Sequence, residues 1–135
     1  MIMGLDMYAY SASADQFTDK DQVDVSLKGK NTSEIFYWRK FNALHGWMES
    51  LYRHKGGTEV FNCTTVRLMP EDIDSLEKAF KATKANEEGG LKPTSGFFFG
   101  AETIYPEDLE TLEEFIVLCG ESFDANKAVF YTSWW

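Results

Sequence analysis

Arg39, Asn42 and His45 stand close together in the stretch YWRKFNALHGWM, residues 37 to 48, and are the side chains of this sequence best suited to chemistry. They would offer a planar bidentate donor, an amide and an imidazole whose charge changes near neutral pH. Read as one helix from about Glu34 to Arg53, started by the Ser33 hydroxyl and stopped by Gly56-Gly57, the stretch separates into two sides. At 100° per residue, Tyr37, Phe41, Leu44, Met48, Leu51 and Tyr52 form an apolar stripe. Arg39, Asn42, Gly46 and Glu49 fall opposite it, with Trp38 and His45 at the boundary. Glycine inside a helix costs about 1 kcal/mol relative to alanine, so Gly46 predicts a close approach. The candidate ligand site is therefore a notch at Gly46 lined by Trp38, Arg39, Asn42 and His45, with Asp6 as a further acid. The structural alternative is a half-buried, satisfied histidine and an arginine paired with a neighbouring acid.

Other chemistries lack their residues. Neither histidine belongs to a HExxH or CxxC pattern, so no metal site is expected. Cys63 and Cys119 have no basic residues beside them to activate a thiolate and are expected to be buried, reduced thiols. GxSxG, GxxxxGK[ST] and GxGxxG are all missing, which removes a nucleophile elbow and the common phosphate cradles. No cofactor is implied.

A second candidate is a surface. Glu107, Asp108, Glu110, Glu113 and Glu114 crowd one predicted helix with no lysine within reach on it, whereas the preceding helix balances its acids through Asp74-Lys78 and Glu77-Lys81. Such a cluster is a solvated face or a docking surface for a basic partner or a divalent cation, and its spacing is not that of an EF-hand loop. Phe98, in GFFFG, and Trp134 and Trp135, at the C-terminus, lie in segments whose aromatics alternate onto both faces of a strand. A sheet covered by helices on one side only would leave such aromatics exposed, and exposed patches signify association, with a second copy as a homodimer or with another protein.

These residues need a scaffold, and 135 residues suffice for one domain, 1 to 135, with a proper core. No segment is apolar over the roughly 20 residues a membrane span needs. The start, MIMGLDMYAY, has no basic region followed by a long apolar run, so the expected location is cytoplasmic. The net charge of −9 is uneven, −1 over residues 1 to 60 and −8 over residues 61 to 135. That balance opposes direct binding to nucleic-acid phosphates. It suits a basic partner, or a surface that imitates DNA.

The chain begins with a strand in GLDMYAYSAS, where Leu5, Met7 and Ala9 alternate with Asp6, Tyr8 and Tyr10. QVDVSLKGKN reads as an edge strand before Gly29. After the aromatic helix, TEVFNCTTVRL is a strand, Pro70 to about Lys84 a helix, GFFFG a short strand, and Pro106 to about Cys119 a helix closed by Gly120. KAVFYTSWW is the last strand. The expected fold is α+β: a mostly antiparallel sheet of four to five strands with three helices, in the order β-β-α-β-α-β-α-β. Pro70 to Glu77 and Pro106 to Glu113 echo one another, as two good helix starts would.

Taken together, MGLDMY, YWRKFNALHGW, the Cys63 strand leading into PEDIDSL, PTSGFFFG, YPEDLETLEEF and FYTSWW resemble a family of small proteins encoded in bacteriophage genomes. The resemblance spans most of the chain apart from residues 11 to 30. It implies a phage origin and brings no catalytic residues with it. A phosphoglycerate kinase label carried by some relatives does not suit a chain of this length without phosphate-binding loops. The expectation is a non-enzymatic phage accessory protein that binds a host or phage protein, with a ligand site at the Gly46 notch and an acidic DNA mimic as alternatives.

Overall fold

In the computed structural model, residues 4–92 and 104–135 are described. β1 (Asp6–Ser13) continues through a single 3-10 turn, Ala14–Gln16, into a long irregular segment that reaches β2 (Thr32–Arg39). α1 (Asn42–His54), β3 (Val66–Leu68), α2 (Pro70–Lys84), α3 (Pro106–Asp124) and β4 (Lys127–Trp134) follow. The strands form one antiparallel sheet in the order β2-β1-β4-β3. The fold is thus α+β, with a four-stranded antiparallel sheet and three helices, as expected.

Alternation along the strands decides which face is covered, because successive side chains point to opposite sides. Met7, Ala9, Val129 and Tyr131 face the helices and are fully buried with Leu44, Met48, Leu76, Leu112 and Phe115. On the opposite face, Phe130 and Ala12 are covered by Phe17, Val25 and Leu27 of the irregular segment. That segment also shields the β3 edge: Val23 bridges to Val66, and the Arg67 amide donates to the Gln22 carbonyl.

Two expected elements move. The edge strand at residues 22 to 31 is irregular cover, since Asp24 takes a left-handed φ of 51° that interrupts the extended run. Its alternation still has a purpose, because Val25 and Leu27 both pack onto the Phe130 cluster. The aromatic helix does not begin at Glu34. Residues 32 to 39 are a strand instead, and the left-handed Lys40 (φ 59°) turns the chain into α1 at Asn42. A period of two governs up to Arg39, with Phe36 and Trp38 facing α3 and Tyr37 facing away. A period of 3.6 takes over from Phe41, so Phe41, Leu44, Met48 and Tyr52 are buried as their stripe requires.

The 58-to-68 strand shrinks to Val66–Leu68, interrupted by the left-handed Cys63 (φ 59°). Cys63 is exposed, not buried, while Cys119 is buried as expected. α2 matches its expected span, and both α2 and α3 start with proline followed by an aspartate that caps the chain. Asp72 accepts from the Met69 amide at 2.8 Å and Asp108 from the Tyr105 amide at 3.0 Å. The expected GFFFG strand, including Phe98, lies outside the described residues. No helix among the described residues is long and apolar enough to cross a membrane.

Candidate functional site

The Gly46 notch does not assemble. Trp38 and Arg39 belong to β2 and point to opposite faces of the sheet, so they cannot flank a groove on α1. Trp38 is core: its ring packs edge-on against Phe115 at 4.7 Å, and its indole N–H donates to the Thr111 hydroxyl at 3.2 Å. Asn42 and His45 open α1 but are turned inward and buried. His45 Nδ1 meets the Tyr131 hydroxyl at 2.7 Å, and burial lowers the imidazole pKa to about 4, leaving the ring neutral at pH 7. Gly46 does border a hollow of about 270 Å³ shared with Trp47, Ser50 and Leu91, but neither Asn42 nor His45 lines it.

Arg39 and Asp6, assigned to that notch, instead meet on the face of the sheet away from the helices. There the cross-strand register sets Arg39 opposite Asp6 and Asp6 opposite Trp134. The next row along β1 aligns Tyr37, Tyr8 and Thr132, and the one after it Glu34, Tyr10 and Phe130. A register shift between Ala9 and Tyr10 lets Glu34 share this face with Tyr37, although the two are three positions apart, an odd spacing that would otherwise put them on opposite faces. Tyr8 and Tyr37 pack with centroids 5.3 Å apart, and Tyr8 and Tyr10 stack at 6.2 Å. Tyr37 is 46% exposed and Trp134 62%.

The electrostatics of this face are negative. The Tyr37 hydroxyl donates to Asp6 Oδ1 at 2.6 Å, and that bond, with partial burial, raises its pKa. Partial burial, followed by the carboxylates of Asp6 and Glu34, raises the pKa of Tyr8, and burial followed by Glu34 does the same for Tyr10. Arg39 Nε lies 3.9 Å from Asp6 Oδ1, an exposed pair of little strength. All three tyrosines therefore remain protonated at neutral pH, as hydroxyl-bearing aromatic surface.

The other surface residues separate. Trp135 is an anchor: its amide donates to Asn62 Oδ1 at 2.9 Å, its indole N–H to the Phe61 carbonyl at 2.9 Å, and Asn62 Nδ2 to its carbonyl at 2.8 Å. Asp108 is used as a helix cap, and Glu113 lies 3.9 Å from Lys84 of α2, which supplies the cation missing from α3 itself. Glu107, Glu110 and Glu114 are exposed on α3, in the helical layer, and so do not join Trp134 in one surface. Among the described residues no group of three or more His, Cys, Asp or Glu is placed to hold a metal ion.

Tyr8, Tyr10 and Tyr37 were absent from the candidate residues read from sequence. The Asp6-Tyr8-Tyr10 alternation was a usable signal for two of them. Tyr37 was hidden by its assignment to a helix. No protein-family model, curated protein or solved structure matches the chain, so its functional reading rests on its own residues.

Proposed function

We propose that this protein is a non-enzymatic protein-binding module, a bacteriophage accessory protein acting in the host cytoplasm, and that it docks its partner on the sheet face built by β2, β1 and the end of β4. The supporting observation is that Tyr8 and Tyr37 in one cross-strand row and Trp134 in the next share a face that no helix covers among the described residues. Aromatic side chains with a polar tip supply large contact area at low entropic cost and dominate binding hot spots. Small monomeric proteins rarely keep such a patch without a use for it.

The ligand-site alternative loses its basis once Arg39 and His45 lie on opposite faces of the sheet. The DNA-mimic alternative is weakened by Asp108 and Glu113, which are engaged as a cap and in a pair with Lys84.

The test is affinity purification of the wild-type chain and a Tyr37→Ser/Trp134→Ser variant from the same producing cells, with light scattering on each. Loss of co-purifying proteins in the folded variant is expected. An unchanged set of proteins refutes the face as the docking surface, and a wild-type dimer that dissociates in the variant identifies the partner as a second copy.

A further inference from the structure

The chemistry of this face selects among partners. Aromatic rings attract cations, and Asp6 and Glu34 bracket the tyrosines of this face with carboxylates. Arg39, the cation beside them, makes a long contact of 3.9 Å to Asp6 as its one ion pair among the described residues. A solvent-exposed pair of that kind exchanges for another guanidinium at little cost. The negative field is also felt at the tyrosines, whose hydroxyls are pushed upward in pKa partly by these acids.

The covered half of the same face already contains an internal version of the arrangement. There Phe17 packs on Phe130 at 4.7 Å, and Lys30 sits over the Phe17 ring with Nζ 5.3 Å from its centroid. The open half has the aromatics and the acids, and among the described residues no segment lies over it as residues 14 to 30 lie over Phe130.

We infer that the partner segment taken by this face is extended and arginine-bearing, its guanidinium groups stacking on Tyr8, Tyr10, Tyr37 and Trp134 and pairing with Asp6 and Glu34. The inference rests on the docking role proposed above. Spacing supports it. Tyr8 and Tyr10 rings are 6.2 Å apart, and alternate side chains of an extended peptide repeat at about 6.8 Å, so arginines at every second position would fall in register with them. Arginine is favoured over lysine because its planar group both stacks on rings and bridges carboxylates. A nucleic acid would find stacking surfaces here but would bring its phosphates against Asp6 and Glu34 in a chain of net charge −9. A purely apolar segment would have to strip water from both carboxylates without compensation.

The experiment is an amide-resolved NMR titration of the full chain with a ten-residue peptide alternating arginine and valine, repeated with the same peptide carrying neutral citrulline in place of arginine. The arginine peptide is expected to shift residues 6, 8, 10, 34, 37 and 134. Citrulline replacement should weaken binding about tenfold or more, as should an Asp6→Asn/Glu34→Gln variant whose spectrum confirms folding. If both peptides bind this face equally, the docking role survives and the arginine preference falls. If the arginine peptide shifts α3 around Glu110 and Glu114 instead, or shifts nothing, the inference is overturned. The fate of the docking role is then read independently from the co-purification.

Discussion

His45 Nδ1 lies 2.7 Å from the Tyr131 hydroxyl, joining α1 to the centre of the sheet inside the core. Phe61 flanks the imidazole, with ring centroids 5.1 Å apart. Tyr131 is fully buried, and burial holds its pKa well above the usual value, so it keeps its proton and can donate a hydrogen bond to a neutral imidazole.

That geometry predicts acid sensitivity. The folded-state pKa of His45 is lowered from 6.5 to about 4 by burial, so the unfolded chain takes up the proton first. The contribution of the neutral ring is fully present above pH 6.5 and is lost as pH falls towards 4, with a total of up to about 3 kcal/mol. Urea unfolding of wild type and His45→Gln at pH 7 and pH 4.5 checks this. Wild type should lose more stability than the variant across that interval, and parallel losses would refute a buried, neutral His45.

A second prediction concerns Gly57. A methyl group there would overlap the ring of Tyr52. Tyr52 is fully buried and cannot swing aside, because its hydroxyl donates to Asp24 Oδ1 at 2.7 Å and accepts from the Glu59 amide at 3.1 Å. Gly57→Ala should therefore cost about 1–3 kcal/mol, as overpacking of a filled site does. Gly57→Ala in a Tyr52→Leu background should cost much less, which calorimetry of the four proteins would resolve.

Gly120 carries the opposite expectation. α3 runs on to Asp124, and the left-handed residue beyond it is Asn126, with φ 57°, so Gly120 lies in the helix interior. A Cβ at Gly120 would meet nothing within 4 Å. Gly120→Ala should stabilise by about 0.5–1 kcal/mol through helix propensity and reduced freedom of the unfolded chain, seen as a rise of a few degrees in melting temperature. A fall would mean that the helix end is strained.

Gly120 also illustrates where sequence reading succeeds and fails here. The proline-aspartate starts of α2 and α3 and the alternation of β1 were legible because each is set by neighbouring residues. The end of α3 was not, because glycine permits termination without requiring it, and packing of Phe123 against the core extends α3 beyond Cys119. The largest error lay at residues 34 to 41, where aromatic residues fit a strand and a helix equally well. Pairing with β1 over Asp6 to Ala12 decides for the strand. That single reassignment dissolves the Gly46 notch and moves Arg39 and Tyr37 onto the open face. Asp6, Arg39 and Trp134 were all recognised as candidates, but their juxtaposition depends on β2 and β4 flanking β1, an order that local patterns do not encode.

Trp38 and Trp134 give the sharpest contrast, since each sits on a strand beside β1 but on opposite faces of the sheet. Trp38 is opposite Met7, 5% exposed, packed on Phe115 and hydrogen-bonded to Thr111. Trp134 is opposite Asp6 and 62% exposed. If Trp134 served the fold, removing it would cost stability in proportion to buried area; a residue kept for contact with a partner should cost little. Trp38→Ala is expected to destabilise by about 3–5 kcal/mol, and Trp134→Ser by no more than about 0.5 kcal/mol. Chemical denaturation of both variants measures the pair. A Trp134→Ser loss above about 1 kcal/mol, well beyond the usual surface range, would assign that ring to the core and remove the anchor at the end of β4 from the proposed docking face.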